Sequence, residues 1–375
     1  MKWDIFCAVV DNYGDIGVTW RLARQLVAEH GLAVRLWVDD LRAFSHLWPK
    51  VDPNVEQQHC EGVEIRLWSE DWPAVEAADV VIEAFACHLP AQYIAAMEHR
   101  VVKPLWLNLE YLSAEDWVAG CHALPSPQAG GLQKYFFFPG FVEGTGGLLR
   151  ERGLIGERDA WQADEQLQRD FLSALGVPAR GEALRVSLFA YENAGVGEWL
   201  DALAQGDQRV QLLVPQGRVL ADVTAWLGVA QAQPGAGFDR GALSIHVLPF
   251  MSQVDYDRLL WSCDINLVRG EDSFVRAQWA ARPMLWHIYQ QAEGAHWDKL
   301  EAFMSLYAAD LQGPTRSDLQ TLWRAWNASH AIAPAWQAML EHLPQWCKHA
   351  QHWAREQAKR VDLAAALVQF HRNSL

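Results

Sequence analysis

Two short segments concentrate acids, glycines and hydroxyls in a way that suits chemistry on a charged substrate. The first is Asp11-Asn12-Tyr13-Gly14-Asp15-Ile16-Gly17, placed between an apolar run from Ile5 to Val10 and a helical pattern from Val18 to Ala28. Two carboxylates therefore sit where a strand turns into a helix, and in an open parallel sheet that rim is where ligands bind. The segment lacks the G-x-G-x-x-G spacing, and an aspartate in such a loop repels a pyrophosphate, so an ordinary dinucleotide site is disfavoured here. Asp15 can act as a general base toward a nucleophile. It can equally cap the following helix, as can Asp11, and the pattern alone leaves both roles open.

The second segment is Arg269-Gly270-Glu271-Asp272-Ser273-Phe274-Val275-Arg276-Ala277, directly after the strand-like DINLV. Ser273 and the amides of a helix start can hold an anion such as a diphosphate. Glu271 and Asp272 can take sugar or ribose hydroxyls, or simply complement the helix dipole. Two more strand ends carry Phe189-Ala190-Tyr191-Glu192-Asn193 and Leu248-Pro249-Phe250-Met251-Ser252-Gln253. Tyr191 and Phe250 offer rings to stack on a base and Gln253 an amide for its edge, although core packing is the ordinary role of any single aromatic. Arg218, in Val214-Pro215-Gln216-Gly217-Arg218, either approaches phosphate or stays solvated. Asn108-Leu109-Glu110-Tyr111 ends another strand and either binds an acceptor beside Asp15 or hydrogen-bonds structurally.

Other chemistries lack their signatures. There is no P-loop, no G-x-S-x-G, no H-E-x-x-H and no histidine pair at ligand spacing tied to cysteines or acids. Asp255-Tyr256-Asp257 mimics a metal-binding D-x-D but lies in a helical pattern, and it reads as surface. His287, between Trp286 and Ile288, reads as a satisfied core residue rather than a base. Asn327-Ala328-Ser329 reads as a helix end, without glycosylation meaning.

The elements that must position these residues alternate. Runs at Ile5 to Val10, Val34 to Val38, Val63 to Leu67, Val80 to Phe85 and Leu105 to Leu109 are interleaved with helical patterns, which predicts a mostly parallel, doubly wound sheet. The Pro- and Gly-rich stretch from Cys121 to Gly147 interrupts the alternation. A second β-α-β series begins at Leu184, and from about Ala295 the pattern is mainly helical. We expect residues 1–155 to form one Rossmann-like domain, 156–355 a second, the two facing across a cleft, and 356–375 a helix that returns to the first.

A chain of 375 residues, 51% hydrophobic and 21% charged, can fill two cores. Its formal charge of -15 is spread along the chain, which disfavours binding to a nucleic-acid backbone. Cys7, Cys60, Cys87, Cys121, Cys263 and Cys347 show no C-x-x-C and are expected to be buried, reduced thiols. With no signal-like N-terminus and no long apolar run, a cytoplasmic protein without membrane attachment is expected. Most of the 20 tryptophans, among them Trp37, Trp106, Trp286 and Trp326, are expected in the cores.

The strings WDIFCAVVDNYGDIGVTWRLARQL, LWLNLEYLSAEDWV, SLFAYEN, LPFMSQVDYDRLLWSCD and RGEDSFVRAQWA resemble the elongation factor P arginine rhamnosyltransferase (EarP) family over nearly the whole chain. The resemblance implies a GT-B fold, with acceptor protein on the N-terminal domain and donor on the C-terminal one. It implies metal-free, inverting transfer of L-rhamnose from TDP-β-L-rhamnose to an arginine of elongation factor P, activating that factor for ribosomes stalled at polyproline. By similarity Asp11, Asp15 and Glu271 are the catalytic carboxylates. Tyr13, Gly14, Phe189, Tyr191, Phe250, Gln253, Arg269, Glu271, Asp272 and Ser273 are then the donor-binding residues. Two other readings remain: a GT-B glycosyltransferase with another nucleotide sugar and a small-molecule acceptor, and a non-catalytic binding protein of the translation machinery.

Overall fold

A computed structural model of the chain describes residues 1–10, 13–69, 72, 74–179, 181–290 and 294–374. The chain divides into two compact units, Met1–Arg152 with Gln357–Leu375, and Gly153–Glu356.

In the first unit the chain runs β1 (Lys2–Cys7), α1 (Gly14–His30), β2 (Ala33–Val38), α2 (Leu41–Leu47), β3 (Gln57–Cys60), β4 (Val63–Leu67), β5 (Val80–Ala84), α3 (Ala91–His99), β6 (Leu105–Leu109), α4 (Trp117–Cys121), β7 (Pro125–Pro127) and β8 (Gln133–Phe137). The eight strands lie in the order β3-β4-β2-β1-β5-β6-β8-β7, parallel except for the two edge strands β3 and β7. The central strands are continuous apolar runs because helices cover both faces. The chain leaves β1 toward β2 on one side and later toward β5 on the other, so the topological switch point lies between β1 and β5.

Two expectations are corrected here. The first strand stops at Cys7, not Val10, because the Val9 N–H leaves the ladder for the Asp39 carboxylate at 2.9 Å. The stretch from Cys121 to Gly147 does not interrupt the sheet but supplies β7 and β8. Proline fits β7 because an edge strand has N–H groups to spare.

The second unit contains α5 (Leu154–Ala163), α6 (Glu165–Ala174), β9 (Leu184–Leu188), α7 (Val196–Gln205), β10 (Val210–Pro215), α8 (Leu220–Leu227), β11 (Gly237–Arg240), β12 (Leu243–Leu248), α9 (Gln253–Ser262), β13 (Ile265–Arg269), α10 (Asp272–Trp279), β14 (Met284–His287), α11 (Ala295–Tyr307), α12 (Gly313–Asn327) and α13 (Ile332–Leu340). Its sheet order is β11-β12-β10-β9-β13-β14, with the switch point between β9 and β13. The helix α14 (Leu343–Ala358) leads to α15 (Leu363–Asn373), which joins the first unit. There Phe370 meets Tyr135 and Phe137 edge-on, Leu363 N–H donates to the Leu148 carbonyl, and the Gln25 amide donates to Arg150 O at 2.8 Å and to Asp362 at 3.1 Å.

The four tryptophans singled out from the sequence are buried. All six cysteines are free thiols, but Cys121 and Cys347 are only half-buried, short of the full burial expected. Asn327 ends α12, buried and bonded to Ile288 N–H and to the Trp286 and Trp323 carbonyls. No helix among the described residues is long and apolar enough to cross a membrane.

Candidate active site

In the first unit α1 begins at Gly14, and Tyr13 is its N-cap without a side-chain cap bond. Asp15 is therefore not the N-cap. It is 3% exposed, and its carboxylate accepts the Val10 N–H at 2.9 Å on one oxygen and the Tyr111 hydroxyl at 3.3 Å on the other. Asp11 lies outside the described residues.

Tyr111 arrives from the end of β6, where Asn108 also bonds Glu110 at 2.6 Å, so the Asn-Leu-Glu-Tyr segment does lie beside Asp15. Cys7 is fully buried, and burial raises its thiol pKa well above the ordinary value, which excludes it as a thiolate nucleophile.

In the second unit the candidates gather at the β9–β13 switch point. The Arg269 guanidinium lies 4.8 Å from the ring centres of both Phe189 and Tyr191, tying the end of β13 to the end of β9. Arg218 covers Tyr191 at 5.3 Å and pairs with Glu192, whose carboxyl it holds below the usual range. Two cations carried on aromatic faces form a rim suited to a polyanion.

Glu271 is the N-cap of α10 and Asp272 its first residue, with the Gln253 amide donating to Asp272 at 3.3 Å. Ser273 donates its hydroxyl to the Arg269 carbonyl, so a role toward an anion falls to its backbone N–H. The Phe250 N–H donates to the Gln216 side-chain carbonyl at 3.1 Å. Tyr13 and Gly14 sit with Asp15 in the first unit, whereas the other donor candidates all belong to the second.

Two readings are overturned. Asp257 is not at the surface: it is 5% exposed and receives a bidentate grip from Arg276 at 2.9 and 2.7 Å. The D-x-D pattern hid this because Arg276 lies 19 residues away on α10. No group of three or more metal-ligating side chains is assembled among the described residues.

His287 is core, but not satisfied. It is 1% exposed, both ring nitrogens lack a partner among the described residues, and burial followed by the Arg269 charge lowers its pKa to about 4. The site feature that sequence reasoning missed is Phe85, which stacks on Tyr111. A phenylalanine ending an apolar run gives no signal of its left-handed backbone.

The family model for elongation factor P (EF-P) rhamnosyltransferase EarP matches residues 3–372. A protein-arginine rhamnosyltransferase of Pseudomonas putida is 61% identical over 373 residues, covering 100% of this chain and 99% of the relative. A solved structure described as the structural basis for EarP-mediated arginine glycosylation of translation elongation factor EF-P is 45% identical. It superposes with a TM-score of 0.71 over 100% of this chain and 99% of that one. A UDP-glucosyltransferase from Polygonum tinctorium, 10% identical with a TM-score of 0.53 over 99% and 98% of the two chains, shares the fold alone, the GT-B pairing of two Rossmann-like domains. The chain belongs to the elongation factor P rhamnosyltransferase family, EarP, a family of glycosyltransferases.

Proposed function

We propose that this enzyme transfers L-rhamnose from TDP-β-L-rhamnose to an arginine of elongation factor P with inversion at the anomeric carbon. The observation that carries the reading is the buried Asp15 carboxylate, oriented from both oxygens at the ligand edge of the first sheet.

An arginine guanidinium is protonated at neutral pH, with a pKa above about 12, and its lone pairs are delocalised. A fixed carboxylate grips such a cation and holds one nitrogen in line with the anomeric carbon. As the carbon–nitrogen bond forms, the bond from that carbon to the diphosphate oxygen breaks. The nitrogen gives up one proton, taken by Asp15 and passed to solvent. The developing diphosphate charge is met by Arg269 and by the backbone N–H groups at the start of α10, with Glu271 and Asp272 toward the sugar. Tyr13, Gly14, Phe189, Tyr191, Phe250 and Gln253 complete the proposed donor contacts, with aromatic faces for the base.

No resident metal is assigned. The D-x-D pair that would hold one is committed, the Asp257 carboxylate to Arg276 and the Asp255 carboxylate to the Ser252 hydroxyl and Arg258.

The test is a donor panel. TDP-β-L-rhamnose should raise the melting temperature more than UDP-sugars do. NMR of the glycosylated arginine should show the α-anomer, undiminished by EDTA. A β-linked product, or equal stabilisation by UDP-sugars, contradicts the reading.

A further inference from the structure

The edge of the first sheet carries a strained turn beside Asp15. Phe85 and Ala86, just past β5, hold φ of 59° and 55°, the left-handed region that residues with side chains rarely adopt. The Phe85 N–H still donates to the Leu109 carbonyl at 2.7 Å, so the strand pairing reaches this residue intact. Its ring then stacks on Tyr111 at 4.6 Å and 20°. A ring that needed only burial has unstrained conformations available, and strain of this kind persists where it aims a group. The group aimed is the Tyr111 hydroxyl, which donates to one oxygen of Asp15 while Val10 N–H holds the other. The segments that follow β1 and β6 thus meet on a single carboxylate, and the residue after β5 packs on one of its two donors.

We infer that Tyr111 is a positioning residue for Asp15, and that Phe85 holds Tyr111 in place to serve it. The hydroxyl keeps its proton and turns it toward the carboxylate. At 3.3 Å the bond is long for hydroxyl to carboxylate, as such contacts are before substrate tightens the site. The catalytic consequence rests on the proposed transfer to arginine; the positioning does not.

Tyr111→Phe removes the hydroxyl and keeps the ring stack. With carboxylate-labelled aspartate, and Asp15→Asn to assign the signal, NMR of the enzyme alone should show Asp15 titrating about half a unit or more higher in Tyr111→Phe, because a hydrogen bond to its ionised form is lost. With TDP-β-L-rhamnose and elongation factor P, kcat should fall about tenfold, with the acid limb of the rate profile displaced the same way and KM for the donor within about twofold. Phe85→Gly, a residue at ease at this φ, should lower kcat similarly while its circular-dichroism spectrum stays that of wild type. An unchanged Asp15 titration in Tyr111→Phe overturns the positioning, whatever the activity. A shifted titration with unchanged kcat overturns its catalytic consequence. A shifted titration in an enzyme whose wild type transfers no rhamnose supports the positioning and sinks the proposed reaction instead.

Discussion

Replacing Asp257 by asparagine should destabilise the second unit far more than a surface change would. The carboxylate on α9 and the Arg276 guanidinium on α10 are 5% and 2% exposed, and they meet in two parallel bonds of 2.9 and 2.7 Å. Asparagine keeps the shape and removes the charge that grips Arg276 from two oxygens, and losing one charge of a buried ion pair costs about 3–5 kcal/mol. For a domain of this size each kcal/mol moves the melting temperature by about 2–4 °C, so a fall of about 10 °C is expected in the transition of that unit. Replacing both partners, Asp257→Leu with Arg276→Met, should recover at least half of the loss, since an apolar pair leaves no orphaned charge. The pair also braces the helix whose first residues are the donor candidates, so the single variant should raise KM for the donor. Differential scanning calorimetry of the wild type, Asp257→Asn, the single variants Asp257→Leu and Arg276→Met, and the double variant tests this. A loss under about 1 kcal/mol in Asp257→Asn, or additive losses in the double variant, would refute the reasoning.

Two further outcomes follow from buried groups. His287 titrates at about 4 in the folded chain against 6.5 for an ordinary histidine. The unfolded chain therefore binds the extra proton first, and stability present above pH 6.5 is lost as pH falls toward 4, by about 3 kcal/mol in all. His287→Leu should remove that part of the acid slope in urea unfolding at pH 7.5 and 4.5; an identical slope contradicts the assignment. Gly147 holds φ 71°, and a β-carbon there would lie 2.1 Å from the Val361 carbonyl oxygen. Gly147→Ala should thus cost more than about 2 kcal/mol and expose residues after Val361 to protease. A wild-type digestion pattern would show that the returning segment is not held there.

The central strands were legible because a buried parallel strand is a continuous apolar run: β4 and β6 lie where Val63 to Leu67 and Leu105 to Leu109 predict them. The short edge strands β3, β7 and β11 carry polar residues, prolines and glycines, and their identity comes from the neighbour they pair with. The candidate site was legible in part for the same reason. Strand-to-helix turns mark the ligand edge from sequence alone, which singled out Asp15, Tyr191 and Arg269. What those side chains touch is set by residues far away in the chain, as with Tyr111 on Asp15 and Arg276 on Asp257. The surroundings of a polar residue were the weakest inference: Asp257, expected at the surface, is buried, and His287, expected in the core and satisfied, is buried with both ring nitrogens unsatisfied among the described residues.

The central claim, a carboxylate at position 15 driving rhamnose onto an arginine, is tested most directly by intact mass. Elongation factor P is incubated with TDP-β-L-rhamnose and either wild-type enzyme or Asp15→Asn. The account predicts a gain of one deoxyhexose on a single arginine with the wild type, reduced by about 100-fold or more in rate with Asp15→Asn. Equal transfer by both enzymes would contradict the role of Asp15, and no transfer by the wild type would contradict the reaction.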